Sequence, residues 1–208
     1  MMGRMRRAAF AKLFLAALFV TGSLASYAAE CHVEFRRLYE ASLDASRPCA
    51  YYKADRCQFN VVNVATELEN SGVDLSLAHV VVFVAEERKF VGVPVKTKLS
   101  PDPTQNRGKD NEWHYHVVLE DGGKFWDLDS GPEGYLPSDF VGRVFPNNAE
   151  YPHRPEKLYV RRIPLAQYRA IIAEPETRYN SPLKKLVSYY DDSPEFPLRS
   201  FADTFTAQ

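Results

Sequence analysis

Residues 113–128 read Trp-His-Tyr-His-Val-Val-Leu-Glu-Asp-Gly-Gly-Lys-Phe-Trp-Asp-Leu, the stretch that most restricts how the chain can fold. Two β-branched and aromatic runs flank Glu120-Asp121-Gly122-Gly123, and such a cluster supplies the positive φ angles of a tight hairpin turn. Strands are therefore expected over Trp113–Leu119 and Lys124–Leu128. If Asp121-Gly122 is the two-residue turn, facing residues have numbers summing to ~243 and His116 sits opposite Asp127. If Gly122-Gly123 is the turn, the sum is ~245 and His116 faces Asp129. Either register places an imidazole and a carboxylate across from one another, with Cβ atoms ~5 Å apart. A carboxylate so placed can fix the imidazole tautomer and stabilise its charged form.

The elements around this hairpin alternate in type. Residues 33–45 have helical spacing, ended by Arg47-Pro48, and Cys57 opens a second helix in which Val61, Val62, Val64, Ala65 and Leu68 form a buried stripe before Ser71-Gly72 closes it. His79–Val84 is a short apolar run expected to be a buried strand, with 90–95 as its hairpin partner. Residues 99–112 read as a polar loop, Pro137–Val144 as a short helix, Lys157–Ile163 as a strand, Leu165–Ala173 as a helix, and the tail from Asp191 as irregular. The order implies an α+β fold. With 208 residues, 45% of them hydrophobic, and no internal repeat, one globular domain is expected.

Residues 1–28 read as a secretory signal. Arg4, Arg6, Arg7 and Lys12 precede the apolar run Leu13–Val20, which is too short to span a bilayer, and Ser26 and Ala28 suit cleavage before Ala29. The domain proper is then 29–208, in a periplasmic or secreted, monomeric protein with no membrane attachment in its mature form. Cleavage removes four cations and no anions, taking the net charge from −1 to near −5, which gives no reason to expect a nucleic-acid partner. Three cysteines remain, Cys31, Cys49 and Cys57, an odd number that suggests one disulfide and one free thiol in an oxidising compartment. Cys31–Cys49 would staple the first helix and leave Cys57 free, a loop closure worth roughly 3 kcal/mol; a Cys49–Cys57 bond is the rival.

A thiol at a helix start is the natural partner for the histidine. The helix N-terminus carries about half a positive charge, which with an adjacent imidazolium depresses a thiol pKa. Its unpaired N–H groups can receive the oxyanion of a tetrahedral intermediate. This is the layout of papain- and transglutaminase-like amide chemistry, with Cys57, His116 and a carboxylate as the working set. His114, Trp113 and Trp126 lie beside it, the tryptophans reading first as core residues. A metal site built from His114, His116, Asp127 and Asp129 is the competing use of the same side chains, but it leaves Cys57 without a role. No cofactor is expected.

Four segments, in order, resemble the motifs of protein N-terminal glutamine amidohydrolases: Cys57-Gln58-Phe59-Asn60, Val82-Phe83-Val84 with Glu87-Arg88-Lys89, Trp113-His114-Tyr115-His116-Val117-Val118-Leu119, and Trp126-Asp127-Leu128-Asp129-Ser130. The family patterns are Cys-x-x-Asn, Val-Phe-Ile-x-x-Glu-Arg-Lys, Trp-x-Tyr-His-Val-Val-Leu and Tyr-Asp-Leu-Asp-Thr. The resemblance spans Cys57 to Tyr168; the chain differs in Ala85-Glu86, where the family has Ser-Asn, and has no clear counterpart of the family's C-terminal Trp-Gly segment after Ser181. It implies a single compact papain-like α+β roll, with the nucleophile at a helix N-terminus packed on an antiparallel sheet. It further implies Cys57 as nucleophile, His116 as general base and acid, and Asp127 rather than Asp129 as the orienting carboxylate. The implied reaction converts glutamine to glutamate and ammonia through a thioester on a polypeptide substrate. Internal protein-glutamine deamidation, peptide cleavage and a non-catalytic binding module are the alternatives.

Overall fold

The computed structural model describes residues 34–44, 49–53, 56–85, 93–95, 111–113, 115–144, 158–174, 182–188 and 195–205. Residues 1–28, Cys31, His114 and Glu87-Arg88-Lys89 lie outside the described residues. Helix α1 covers 34–42. It is followed by α2 (Cys57–Asn70), β1 (His79–Ala85), β2 (Val93–Val95), β3 (Asn111–Trp113), β4 (Tyr115–Asp121) and β5 (Lys124–Trp126). Then come α3 (Pro137–Val144), β6 (Leu158–Pro164), α4 (Leu165–Ala173), α5 (Pro182–Leu186), β7 (Arg199–Ser200) and α6 (Phe201–Phe205).

β1, β4, β5, β6 and β7 form one antiparallel sheet in the order β5-β4-β1-β6-β7. The wholly apolar character of Val80–Val84 follows from this place: β1 is central, and both faces of the sheet are covered. On one face Val80, Val82, Val84, Val117, Leu119 and Trp126 pack against Phe35 and Leu38 of α1, Val61, Val64, Ala65 and Leu68 of α2, and Leu165 and Tyr168 of α4. On the other, Val81, Phe83, Val118 and Phe125 meet Phe140, Val141 and Val144 of α3 and Phe201 of α6. The architecture is a mixed α and β fold built on an antiparallel sheet, as the α+β reading expects.

Three expectations are corrected. Within the 90–95 segment, β2 (Val93–Val95) pairs not with β1 but with β3, in a separate two-stranded sheet with Val93 opposite Trp113. β1 instead takes β4 and β6 as neighbours, because a central strand finds its apolar partners at long sequence separation. The tail is not irregular throughout: Arg199 pairs with Val160, and α6 follows. It is held by Arg161, fully buried, whose guanidinium donates to the carbonyls of Leu186 and Ser188, each at 3.0 Å, and of Phe196. Finally, Cys49 and Cys57 both carry free thiols, so the Cys49–Cys57 bond is not formed, while the Cys31 half of the expected staple lies outside the described residues. Tyr51, whose phenol is pushed up by burial and by Cys49 beside it, donates to the Leu38 carbonyl at 2.7 Å.

Candidate active site

Cys57 is the first residue of α2, as its sequence position suggested. The helix begins without a side-chain cap and with no acid in its first turn, so no side chain of that turn offsets the positive end of its dipole at the sulfur. The N–H groups of Phe59 and Asn60 both turn back to the Arg56 carbonyl at 2.9 Å. Those of Cys57 and Gln58 come before these bonds and are the helix-start donors nearest the thiol.

Asn60, one turn on, locks the approach to this helix. Its side-chain oxygen accepts the Lys53 N–H at 2.9 Å and its amide donates to the Lys53 carbonyl at 2.7 Å. That clamp holds the 49–53 segment over the site, where Tyr52 donates to Asp129 Oδ1 at 2.5 Å. Behind the sulfur, Tyr168 is fully buried and donates to the Gln58 carbonyl at 3.2 Å. Burial first, then the negative potential of Cys57 and Tyr115, raises its phenol well above the ordinary range, so it remains a donor.

The hairpin adopts the second of the two registers. Asp121 pairs with Lys124 and Leu119 with Trp126, so Gly122 and Gly123 make the turn with φ of 58° and 74°. Only glycine takes two such angles in succession cheaply, whereas the other register needs Asp121 in the left-handed region. In this register an extended β5 would bring Asp129 opposite His116. The strand instead ends at Trp126, and residues 127–130 turn, with the Ser130 N–H donating to the Asp127 carbonyl at 3.0 Å. The turn brings Asp127 back to His116, with Nε2 and Oδ2 3.0 Å apart.

Asp127 is held by more than the imidazole. The Asp129 N–H donates to its Oδ1 at 3.1 Å, and the Ser130 hydroxyl donates to its Oδ2. Asp129 thus accepts from Tyr52 through its side chain and donates to Asp127 through its backbone N–H. The His116 ring lies parallel to Phe140 of α3, centroids 6.4 Å apart. Burial alone would lower the pKa of this fully enclosed imidazole, but the charge of Asp127, its hydrogen bond and the influence of nearby Cys57 outweigh it. The result is a pKa raised from 6.5 to about 10. The structure thus sets Asp127 on Nε2 of the buried His116, with Cys57 near enough to the imidazole to help raise its pKa.

Cys57, Asp127 and Asp129 line one cavity with Tyr52, Asn60 and Trp126. Its volume is about 20 Å³, room for about one water. Trp126 is a core wall of this cavity, 2% exposed, its indole N–H bound to the Asp121 carbonyl at 3.1 Å. His116, Asp127 and Asp129 each offer a possible ligand atom within 4.8 Å of the others, so a cation could be held by these three. Their hydrogen bonds to one another, to Tyr52 and to Ser130 suit the orienting role equally well.

Sequence reasoning did not single out Tyr52, Tyr168 or Phe140, which join the site across long stretches of chain. Asn60 and Ser130 appeared only as motif members, without a role. No protein-family model matches the chain, and no curated protein matches it at a significant level.

Proposed function

We propose that the chain is a cysteine-dependent amidohydrolase that deamidates glutamine side chains, with the N-terminal glutamine of a polypeptide as substrate. The observation that carries this reading is the buried imidazole that Asp127 holds at 3.0 Å and whose pKa Cys57, at an uncapped helix start, helps to raise. A thiol, a base held by a carboxylate, and helix-start N–H groups are the parts needed for acyl transfer. The sequence motifs around these residues favour the amidohydrolases within that class, and with them a papain-like roll.

In the reaction the Cys57 thiolate, its proton already carried by His116, attacks the carboxamide carbon, the carbonyl electron pair moving to oxygen. N–H groups at the start of α2 meet that oxyanion. His116 returns the proton to the departing nitrogen, ammonia leaves and a thioester remains. Water deprotonated by His116 then adds to the thioester, releasing glutamate and restoring the thiol. Asp127 keeps the imidazole oriented throughout, and Ser130 and the Asp129 N–H keep Asp127 in place. The signal-like sequence of residues 1–28 supports placing this activity in the periplasm or the exterior.

The test is a peptide panel: Gln-initiated, internally Gln-containing and N-acetylated peptides, followed by ammonia release and mass under reducing conditions. Ammonia and a gain of ~1 Da on free N-terminal glutamine alone, lost in Cys57→Ala, support the reading. Modification of internal glutamine points to a protein-glutamine deamidase, and fragmentation to a protease. Activity that persists in Cys57→Ala refutes the nucleophile.

A further inference from the structure

The side chain next to the nucleophile has no part in the mechanism so far. Gln58 is buried, 7% exposed, at the second position of α2, and its Oε1 accepts a hydrogen bond from the Cys57 thiol at 3.7 Å. Its backbone is fixed from the far side by Tyr168. A buried carboxamide therefore lies against the reacting sulfur, in a helix turn whose own N–H groups face the same way.

We propose that Gln58 is a catalytic residue, its carboxamide supplying a side-chain donor to the oxyanion beside the helix-start N–H groups; this rests on the amidohydrolase reading. A neutral thiol is a donor and is matched by Oε1. Once its proton has moved to His116, the sulfur and then the substrate oxygen carry negative charge, and an acceptor beside them is unfavourable. The terminal torsion of a glutamine is broad and roughly two-fold, so a half-turn exchanges Oε1 for Nε2 with little movement of other atoms. The amide N–H then donates to the oxyanion as the S–C bond forms and the carbonyl pair moves to oxygen. It turns back when ammonia has left and the carbonyl of the thioester has re-formed. Glutamate at this position could not make the exchange, since an ionised carboxylate only accepts.

The experiment compares wild type, Gln58→Met and Gln58→Glu. It measures kcat and KM on a Gln-initiated peptide, melting temperature, and the pH dependence of Cys57 alkylation by iodoacetamide, read at that residue by peptide mass mapping. Removing one oxyanion donor is expected to lower kcat ~10²–10³-fold in Gln58→Met with KM little changed. Gln58→Glu is expected to lose as much kcat and also to move the alkylation midpoint to higher pH, because a carboxylate disfavours the thiolate. Wild-type kcat in a folded Gln58→Met overturns the proposal, as does an alkylation profile unmoved in Gln58→Glu. A wild type that releases no ammonia from any glutamine peptide overturns the amidohydrolase reading, a distinct result.

Discussion

Asp127→Asn tests the electrostatic core of the site most directly. Asp127 accepts hydrogen bonds from His116, Ser130 and the Asp129 N–H, and its charge is the largest influence raising the pKa of a fully buried imidazole. An asparagine keeps the shape and can keep one or two of these bonds, but it removes the charge. Burial then dominates, and His116 falls below its ordinary 6.5 instead of standing near 10. The change from 6.5 to about 10 corresponds to about 5 kcal/mol, at ~1.4 kcal/mol per pH unit. Because the folded-state pKa is raised, this stabilisation is fully present below pH 6.5 and is lost as the pH rises through about 10. Urea unfolding of both proteins across that range should show wild type ahead by up to about 5 kcal/mol near pH 6, the gap shrinking toward pH 10. The kcat of the variant should fall on the order of 10³–10⁴-fold, the imidazole being left in the wrong tautomer. A stability gap that stays constant from pH 6 to pH 10 would show that Asp127 does not hold His116 in its charged form.

Three further substitutions probe the supports. Asn60→Leu removes both bonds to the Lys53 backbone and leaves two main-chain groups unsatisfied, an expected loss of ~1–3 kcal/mol in urea unfolding, with reduced kcat as Tyr52 leaves Asp129. Arg161→Met strips three carbonyls of their buried donor, and limited proteolysis should then cut within 182–198 while wild type resists; equal resistance refutes the pin. Gly134→Ala places a Cβ 2.7 Å from the Trp126 ring, so the indole must shift from its contact with Phe35. The expected cost is ~1–3 kcal/mol, with a change in tryptophan fluorescence; an unaltered spectrum and Tm would contradict that packing.

What the sequence determined by itself is what short-range physics determines. α2 opens at Cys57, α3 and α4 keep their expected bounds, and the hairpin forms where two glycines permit positive φ, because caps, periodicity and turn chemistry act over a few residues. That a histidine would meet a carboxylate was readable too, since both registers ensure it. Which carboxylate it would be was left open by the local pattern: the register pointed to Asp129. Only the end of β5 at Trp126 and the 127–130 turn brought Asp127 to His116. Tertiary structure also chose the partners of β1, the free state of Cys49, and the contributions of Tyr52, Tyr168 and Phe140. Those choices rest on contacts between residues tens of positions apart, where burial of whole faces decides and no local propensity carries the information.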